Sequence, residues 1–378
     1  DLYSPEVKKP QNIEITAKID GEKISKKLQL KPINQREIRI IHHSHVDIGY
    51  THVQPEVEKM QYENIKQALD IISRTSDYPQ DAQFRWNVEV LWAVEAFLER
   101  ASKQEIKQFE NAIKSGHIGI QGLYGNILTG LCSLPELWHC FDYAHELEER
   151  FDIQINSAMI TDIPGYSWGI VPAMLNNGIK YFSSGPNNFD RIGGTLSDWG
   201  DKPFYWESPS GEDSLLTWVA GKGYALFHSW KGGAMQNTGE HKILNYCREL
   251  SSENYSYEMV QLRYKISSDN GAPDSQLSDF VKEWNQKYIS PKLVISTDKD
   301  MFEKFEKRNH DQLPVVRGDF TPFWEDGAFS TARTTIMNRK NAERIIQTQT
   351  LSLIINRAYP FQKISKVWRN LLLYDEHT

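Results

Sequence analysis

From Glu37 onward, short apolar runs alternate with amphipathic stretches of helical period, and this alternation limits the fold more than any other feature of the chain. EIRIIH (37–42), QFRWNV (83–88), HIGIQG (117–122), SAMIT (157–161), IKYFSSG (179–185), SLLTWVA (214–220), EMVQLRYKI (258–266) and PKLVIST (291–297) read as strands. Residues 55–75, 90–101, 104–115 and 134–150 read as helices between them. Strands separated by helices have to run parallel, because only a helical crossover returns the chain to the same sheet edge. The expectation is therefore an α/β domain over residues 37–320, with its active groups at the carboxyl ends of strands.

The flanks differ. Residues 12–30 alternate polar and apolar side chains around Asp20-Gly21, a hairpin signal that marks 1–36 as a β-rich leader, the end of a small β module. Residues 321–378 open on a loop and then become purely helical, with a break at Tyr359-Pro360, and read as the start of a helical bundle.

A net charge of −7 argues against a nucleic-acid partner, which calls for a basic face. No apolar run approaches the roughly 18 residues needed for a membrane-spanning helix. Three cysteines, Cys132, Cys140 and Cys247, follow no zinc-ribbon spacing and read as buried free thiols. The first residue is Asp1, with no leader or initiator Met, as in a processed or trimmed chain, so the start does not decide between export and the cytoplasm.

Four segments carry candidate chemistry. The first strand runs into His42-His43-Ser44-His45-Val46-Asp47-Ile48-Gly49-Tyr50, where His45 and Asp47, two apart in extended chain, point to one side. An imidazole and a carboxylate so placed form half of a site for a divalent cation, zinc being favoured by nitrogen and oxygen ligands. Read alone, a hydrogen-bonded polar strand end explains the same residues equally well. Asp162 ends the strand SAMIT before Ile163-Pro164-Gly165-Tyr166-Ser167, where a nucleophile or an ordinary turn aspartate belongs. Asp269 lies in the loop Ser267-Ser268-Asp269-Asn270-Gly271-Ala272-Pro273-Asp274, and His377 closes Leu371-Leu372-Leu373-Tyr374-Asp375-Glu376-His377-Thr378.

Together the four resemble glycoside hydrolase family 38, the α-mannosidases. HSHVDIGYTH is similar to that family's opening metal motif, DIPGYSWGIVPAML to its nucleophile segment, GDFTPFWEDGAFSTARTTIMNRKNAER to the hand-over into the helical bundle, and LLLYDEHT to the segment bearing the last metal ligand. The resemblance runs from about residue 37 to 378. It departs at Pro164-Gly165-Tyr166, at Tyr50 in place of the usual Trp, and at Thr378 in place of a frequent Asp.

The resemblance implies a (β/α)7-type, mostly parallel, barrel-like domain followed by a truncated bundle. It implies Zn2+ held by His45, Asp47, Asp162 and His377, with Asp162 also the nucleophile of a retaining α-mannosidase. Asp269, with Asp274 in reserve, is the candidate acid/base, kept protonated in a less polar setting. Tyr50, Trp168 and Arg191 are candidate substrate contacts, and His43 a residue orienting a ligand. The implied partners are an α-mannoside or glycan and the downstream domains of a longer protein. The competing readings are another zinc-dependent hydrolase of the polysaccharide deacetylase kind, using metal-bound water, and a non-catalytic carbohydrate-binding relative.

Overall fold

The computed structural model describes the chain except residues 1–3, 5, 34, 188–193, 228–233, 321–323, 325 and 356–358. Among the described residues the strands are β1 (Gln11–Ile19), β2 (Glu22–Leu30), β3 (Glu37–His42), β4 (Trp86–Val88), β5 (Ile118–Ile120), β6 (Ser157–Asp162), β7 (Tyr181–Pro186), β8 (Phe204–Glu207), β9 (Ser214–Val219), β10 (Met259–Tyr264), β11 (Lys292–Ile295) and β12 (Val315–Val316).

β1 and β2 form an antiparallel hairpin in the expected register, with Ile19 opposite Glu22. Its turn works because Asp20 and Gly21 both adopt positive φ, 50° and 87°, the geometry a two-residue hairpin loop needs. Both strands lie largely in solvent.

The α/β region is built as the strand–helix alternation requires. β3 is flanked in parallel by β10 and β11, and β4 pairs in parallel with β5. A third sheet runs in the order β12-β8-β9-β7-β6, parallel except between β8 and β9. Both faces of β3 are covered, so Ile38, Ile40 and Ile41 are buried and Arg39 is buried in pairs with Glu37 and Asp300. Helices Gln54–Arg74, Leu91–Arg100 and Lys103–Lys114 fill the first crossovers. The last of these starts on a capping box, in which Ser102 and Glu105 satisfy each other's backbone N–H groups.

Two expectations are corrected. The hydrogen-bonded ladders do not close into a barrel; among the described residues they form separate open sheets. β4 and β5 are three residues long, and in place of a ladder they are linked to their neighbours by a bridge (His43 with Asn87), a bond from Gly122 N–H to the Ser157 carbonyl (2.8 Å) and the Asn87 side chain, which donates to the His42 and Ser296 carbonyls. The single helix expected over 134–150 is two, Leu134–His139 and Asp142–Phe151, parted at Cys140-Phe141, whose side chains are buried in the core.

One core gathers Trp86, Phe84, Phe97, Phe109, Phe182, Trp206 and Trp218, all essentially inaccessible. A smaller cluster of Ala342, Ile345, Ile364, Trp368 and Leu371 joins helices Ala332–Ile354 and Phe361–Tyr374. The second of these helices ends at the segment that carries His377. No helix among the described residues is long and apolar enough to cross a membrane, and all three cysteines are free, with Cys140 buried and the others partly so.

Candidate metal and catalytic site

Four side chains from widely separated segments converge. His45 and Asp47 follow β3, Asp162 ends β6, and His377 follows the last helix. The Nε2 atoms of His45 and His377 lie 3.2 Å apart. Asp47 Oδ1 is 3.2 Å from the first and 3.4 Å from the second. Asp162 Oδ2 stands 3.9 Å from His45 Nε2 and 3.6 Å from His377 Nε2.

Each imidazole is aimed by a carboxylate on its far side. His45 Nδ1 is 2.9 Å from Glu89 Oε1, and His377 Nδ1 is 2.7 Å from Glu376 Oε1. With each Nδ1 turned outward to its carboxylate, both Nε2 atoms face into the cluster. Burial opposes charge on both rings. Nevertheless Glu89 and Asp47 hold His45 well above its usual range, and Glu376 and Asp47 carry His377 to about 10. Burial also opposes the charge on Asp47, but the two imidazoles hold it well below the usual carboxylate range. The ligand atoms of His45, Asp47 and His377 all lie within 4.8 Å of one another, a donor set that fits a divalent cation, with each ring backed by a second carboxylate and Asp162 Oδ2 standing beside both rings.

Glu89 and Glu376 were not singled out in the sequence, and they do most to organise the site. Glu89, 1% exposed, lies just past β4 and takes Asn126 Nδ2–H (2.6 Å), the Val46 N–H (3.2 Å) and the Thr161 hydroxyl (2.6 Å) as well as His45. His43 reaches the cluster only through Glu89: its Nδ1 lies 2.7 Å from Oε2, and Arg263 Nε donates to its Nε2 at 3.2 Å. Burial and Arg263 hold His43 down to about 4, so it stays neutral. The available signal for Glu89 was its position one residue past a strand's carboxyl end. Glu376 had only its adjacency to His377.

Asp162 is held in a conformation that L-residues rarely adopt, with φ 72°. Its Oδ1 accepts Asn187 Nδ2–H at 2.6 Å and the Tyr224 hydroxyl at 3.0 Å, leaving Oδ2 toward the histidines. The Tyr224 ring sits edge-on to His45, centroids 5.0 Å apart. Neither Asn187 nor Tyr224 stands in a recognisable motif.

The other candidates are placed as follows. Asp269 is partly exposed and pairs with Lys265 Nζ at 2.6 Å, a polar setting rather than the less polar one expected. Its loop is tied to the metal loop by Asn270, whose Nδ2 donates to the Asp47 carbonyl (2.9 Å) and Thr51 Oγ1 (2.8 Å) and whose N–H donates to the His45 carbonyl (2.7 Å). Asp274 is buried elsewhere, accepting the Tyr264 hydroxyl at 2.5 Å and the Gln276 N–H at 3.0 Å. Tyr50 is 81% exposed. Trp168 gives its indole N–H to the Glu207 carbonyl at 2.7 Å, and Arg317 covers its ring at 5.6 Å. Arg191 lies outside the described residues. A groove of about 1050 Å³ beside helices Leu91–Arg100 and Phe361–Tyr374 is lined by none of the clustered residues.

The model of the glycosyl hydrolases family 38 N-terminal domain matches residues 35–325. The chain belongs to glycosyl hydrolase family 38. Its fold is similar to that of an α-mannosidase from Enterococcus faecalis V583, with TM-score 0.68 and 15% identity over 91% of this chain and 38% of that one. A second similar structure, a family 38 protein from Enterococcus faecalis, gives TM-score 0.58 and 14% identity over 91% of this chain and 36% of the other. The chain thus spans little more than a third of the length of either. No curated protein matches it.

Proposed function

We propose that this family 38 chain is the catalytic part of a retaining α-mannosidase, with a zinc ion held by His45, Asp47, Asp162 and His377. The convergence of these four side chains from three distant regions carries the reading, together with the family membership. When bound, zinc would neutralise this carboxylate-rich pocket and bind hydroxyls of the sugar, orienting the ring.

Asp162 acts as nucleophile: its carboxylate forms a bond to the anomeric carbon as the glycosidic C–O bond breaks. Asn187 and Tyr224, both donating to Oδ1, hold its plane so that one oxygen is fixed while the other faces the cluster. Asp269 gives a proton to the leaving oxygen and then takes one from the water that releases the sugar. Glu89 and Glu376 keep both imidazoles in the tautomer that presents Nε2 inward. In the same reading residues 37–320 form the catalytic unit, 1–36 a β-rich leader and 321–378 the opening of a helical bundle, with further domains of the same protein and an α-mannosidic glycan as partners.

The test pairs metal with turnover. Elemental analysis is expected to find about one zinc per chain, lost in His45→Ala and Asp162→Ala. An activated 2-fluoro-mannoside is expected to leave a glycosyl adduct on Asp162, seen by peptide mass spectrometry. Hydrolysis that needs zinc but never yields an adduct would favour metal-bound water, as in a deacetylase. Sugar binding without any cleavage would favour a non-catalytic relative.

A further inference from the structure

A buried guanidinium stands behind the cluster. Arg263, on β10, is 1% exposed, a burial that arginine tolerates only when paired, and no catalytic step employs it. Its Nε donates to His43 Nε2 at 3.2 Å, its Nη1 to the Ser183 hydroxyl at 2.9 Å and its Nη2 to Thr161 Oγ1. These acceptors lie on or beside β3, β7 and β6, so one side chain joins four strands. Gly185 leaves it room, since a Cβ there would lie 3.3 Å from Arg263 Cζ. The charged and titratable groups facing the guanidinium are Glu89, Asp298, Tyr166 and His43. Burial pulls it below its usual range, opposed first by Glu89 and then by Asp298.

Two of these contacts lead to the same carboxylate oxygen. Thr161 accepts from Nη2 and gives its own hydrogen to Glu89 Oε2 at 2.6 Å. His43, whose Nε2 accepts from Arg263, carries its hydrogen on Nδ1, 2.7 Å from the same Oε2. Nη2 itself stands 3.7 Å from Oε2. With Oε2 so engaged, Oε1 is left to Asn126, the Val46 N–H and His45 Nδ1. Resting on the reading of the cluster as a zinc site, we propose that Arg263 is a positioning residue that turns Glu89 so that Oε1 backs His45, and thereby sets the aim of His45 at the metal. The bond to Thr161 also fixes the end of β6, one residue before Asp162. The planar fork is what the role requires, because it reaches three strands at once while an ammonium is a single point of charge.

The experiment measures zinc affinity by chelator competition, and urea unfolding of the metal-free chain, in wild type, Arg263→Lys, Arg263→Met, Glu89→Gln and the double variant of Arg263→Met with Glu89→Gln. Arg263→Lys keeps a cation opposite Glu89 and so protects the fold, but its one ammonium cannot serve His43, Thr161 and Ser183 together. Zinc is expected to bind about tenfold more weakly in both Arg263 variants, the low end of the loss caused by disturbing a group behind a metal ligand. Once Glu89 is Gln, adding Arg263→Met is expected to weaken zinc by less than about twofold more, because its route to His45 is already cut. Phe109→Ala, a core truncation packed on Phe97 and Phe151, is expected to lower stability and leave zinc affinity unchanged. Zinc affinity within about twofold of wild type in Arg263→Lys, or fully additive zinc losses for Arg263→Met and Glu89→Gln, would overturn the inference. A wild type that binds no zinc would instead count against the metal reading. The hold on Glu89 is then judged on the metal-free chain: a double variant no less stable than the costlier single one supports it, and additive unfolding losses overturn it.

Discussion

Removing the charge of Glu89 tests the organisation of the site most directly. Glu89→Gln keeps the shape and replaces one oxygen with an N–H2 group. Placed at the Oε1 position, that group would face three donors: His45 Nδ1–H, the Val46 N–H and Asn126 Nδ2–H. Placed at Oε2 it faces the Thr161 hydroxyl, which can rotate, His43 Nδ1, which carries its hydrogen because Nε2 accepts from Arg263, and the Arg263 Nη2 at 3.7 Å. The amide is therefore expected at Oε2, sparing the bond to His45 but leaving it uncharged. Glu89 is also the buried counter-ion of Arg263, and removing one partner of a buried charge pair costs about 3–5 kcal/mol, so the fold is expected to lose about that much. Losing the carboxylate behind a ligating imidazole costs about 10–100-fold in metal affinity, equivalent to about 1.4–2.8 kcal/mol. Zinc affinity is measured by competition with a chromophoric chelator, and stability by urea unfolding of the metal-free protein. Glu99→Gln, at a largely exposed carboxylate, serves as control. Zinc binding within about twofold of wild type in Glu89→Gln would refute the view that this carboxylate aims His45.

Three further outcomes are expected. Asp201 is buried, and burial raises its carboxyl to about 6 against the donors Tyr246, Gly221 N–H and Trp218 Nε1–H. The folded state then keeps a proton that the unfolded chain has released, so stability falls as pH rises from about 4 to 6, by up to about 3 kcal/mol. Asp201→Asn should abolish that fall and gain on wild type above pH 6; a stability difference flat from pH 4 to 7 would contradict it. Asn270→Ala strands Gln61 Nε2 and the Asp47 carbonyl and should cost about 2–3 kcal/mol in urea unfolding, with a larger loss of kcat than of zinc. Chelation should abolish hydrolysis, and zinc should restore it and raise the melting temperature in wild type but not in His377→Ala.

The hairpin, the parallel α/β character and the ends of β3, β6 and β10 were legible because they depend on local periodicity and turn chemistry. Asp20-Gly21 sets its own turn, and EIRIIH carries Ile38, Ile40 and Ile41 in a short run of strand length. The motif residues His45, Asp47 and Asp162 could be named because strand ends are where side chains project from a parallel sheet. The antiparallel strand β8 and the helix Met235–Ser252 were not named: β8 is only four residues long, and the helix, although it buries Met235, Gly239, Ile243, Tyr246 and Leu250 at helical spacing, has a glycine within that stripe. The break at Cys140-Phe141 was hidden inside an unbroken helical pattern, since the core, not the local sequence, sets it.

The sequence by itself determined which residues could ligate, attack or protonate, because side-chain chemistry is local. Only the tertiary structure decided which of them meet. It brought His377 to within 3.2 Å of His45 across 332 residues and placed Glu89, Asn187, Tyr224 and Glu376 around them. It also put Lys265 against Asp269 while sending Asp274 into hydrogen bonds with Tyr264 and Gln276. Long-range contacts of this kind arise from packing, and no local pattern in the chain encodes the partner at the far end.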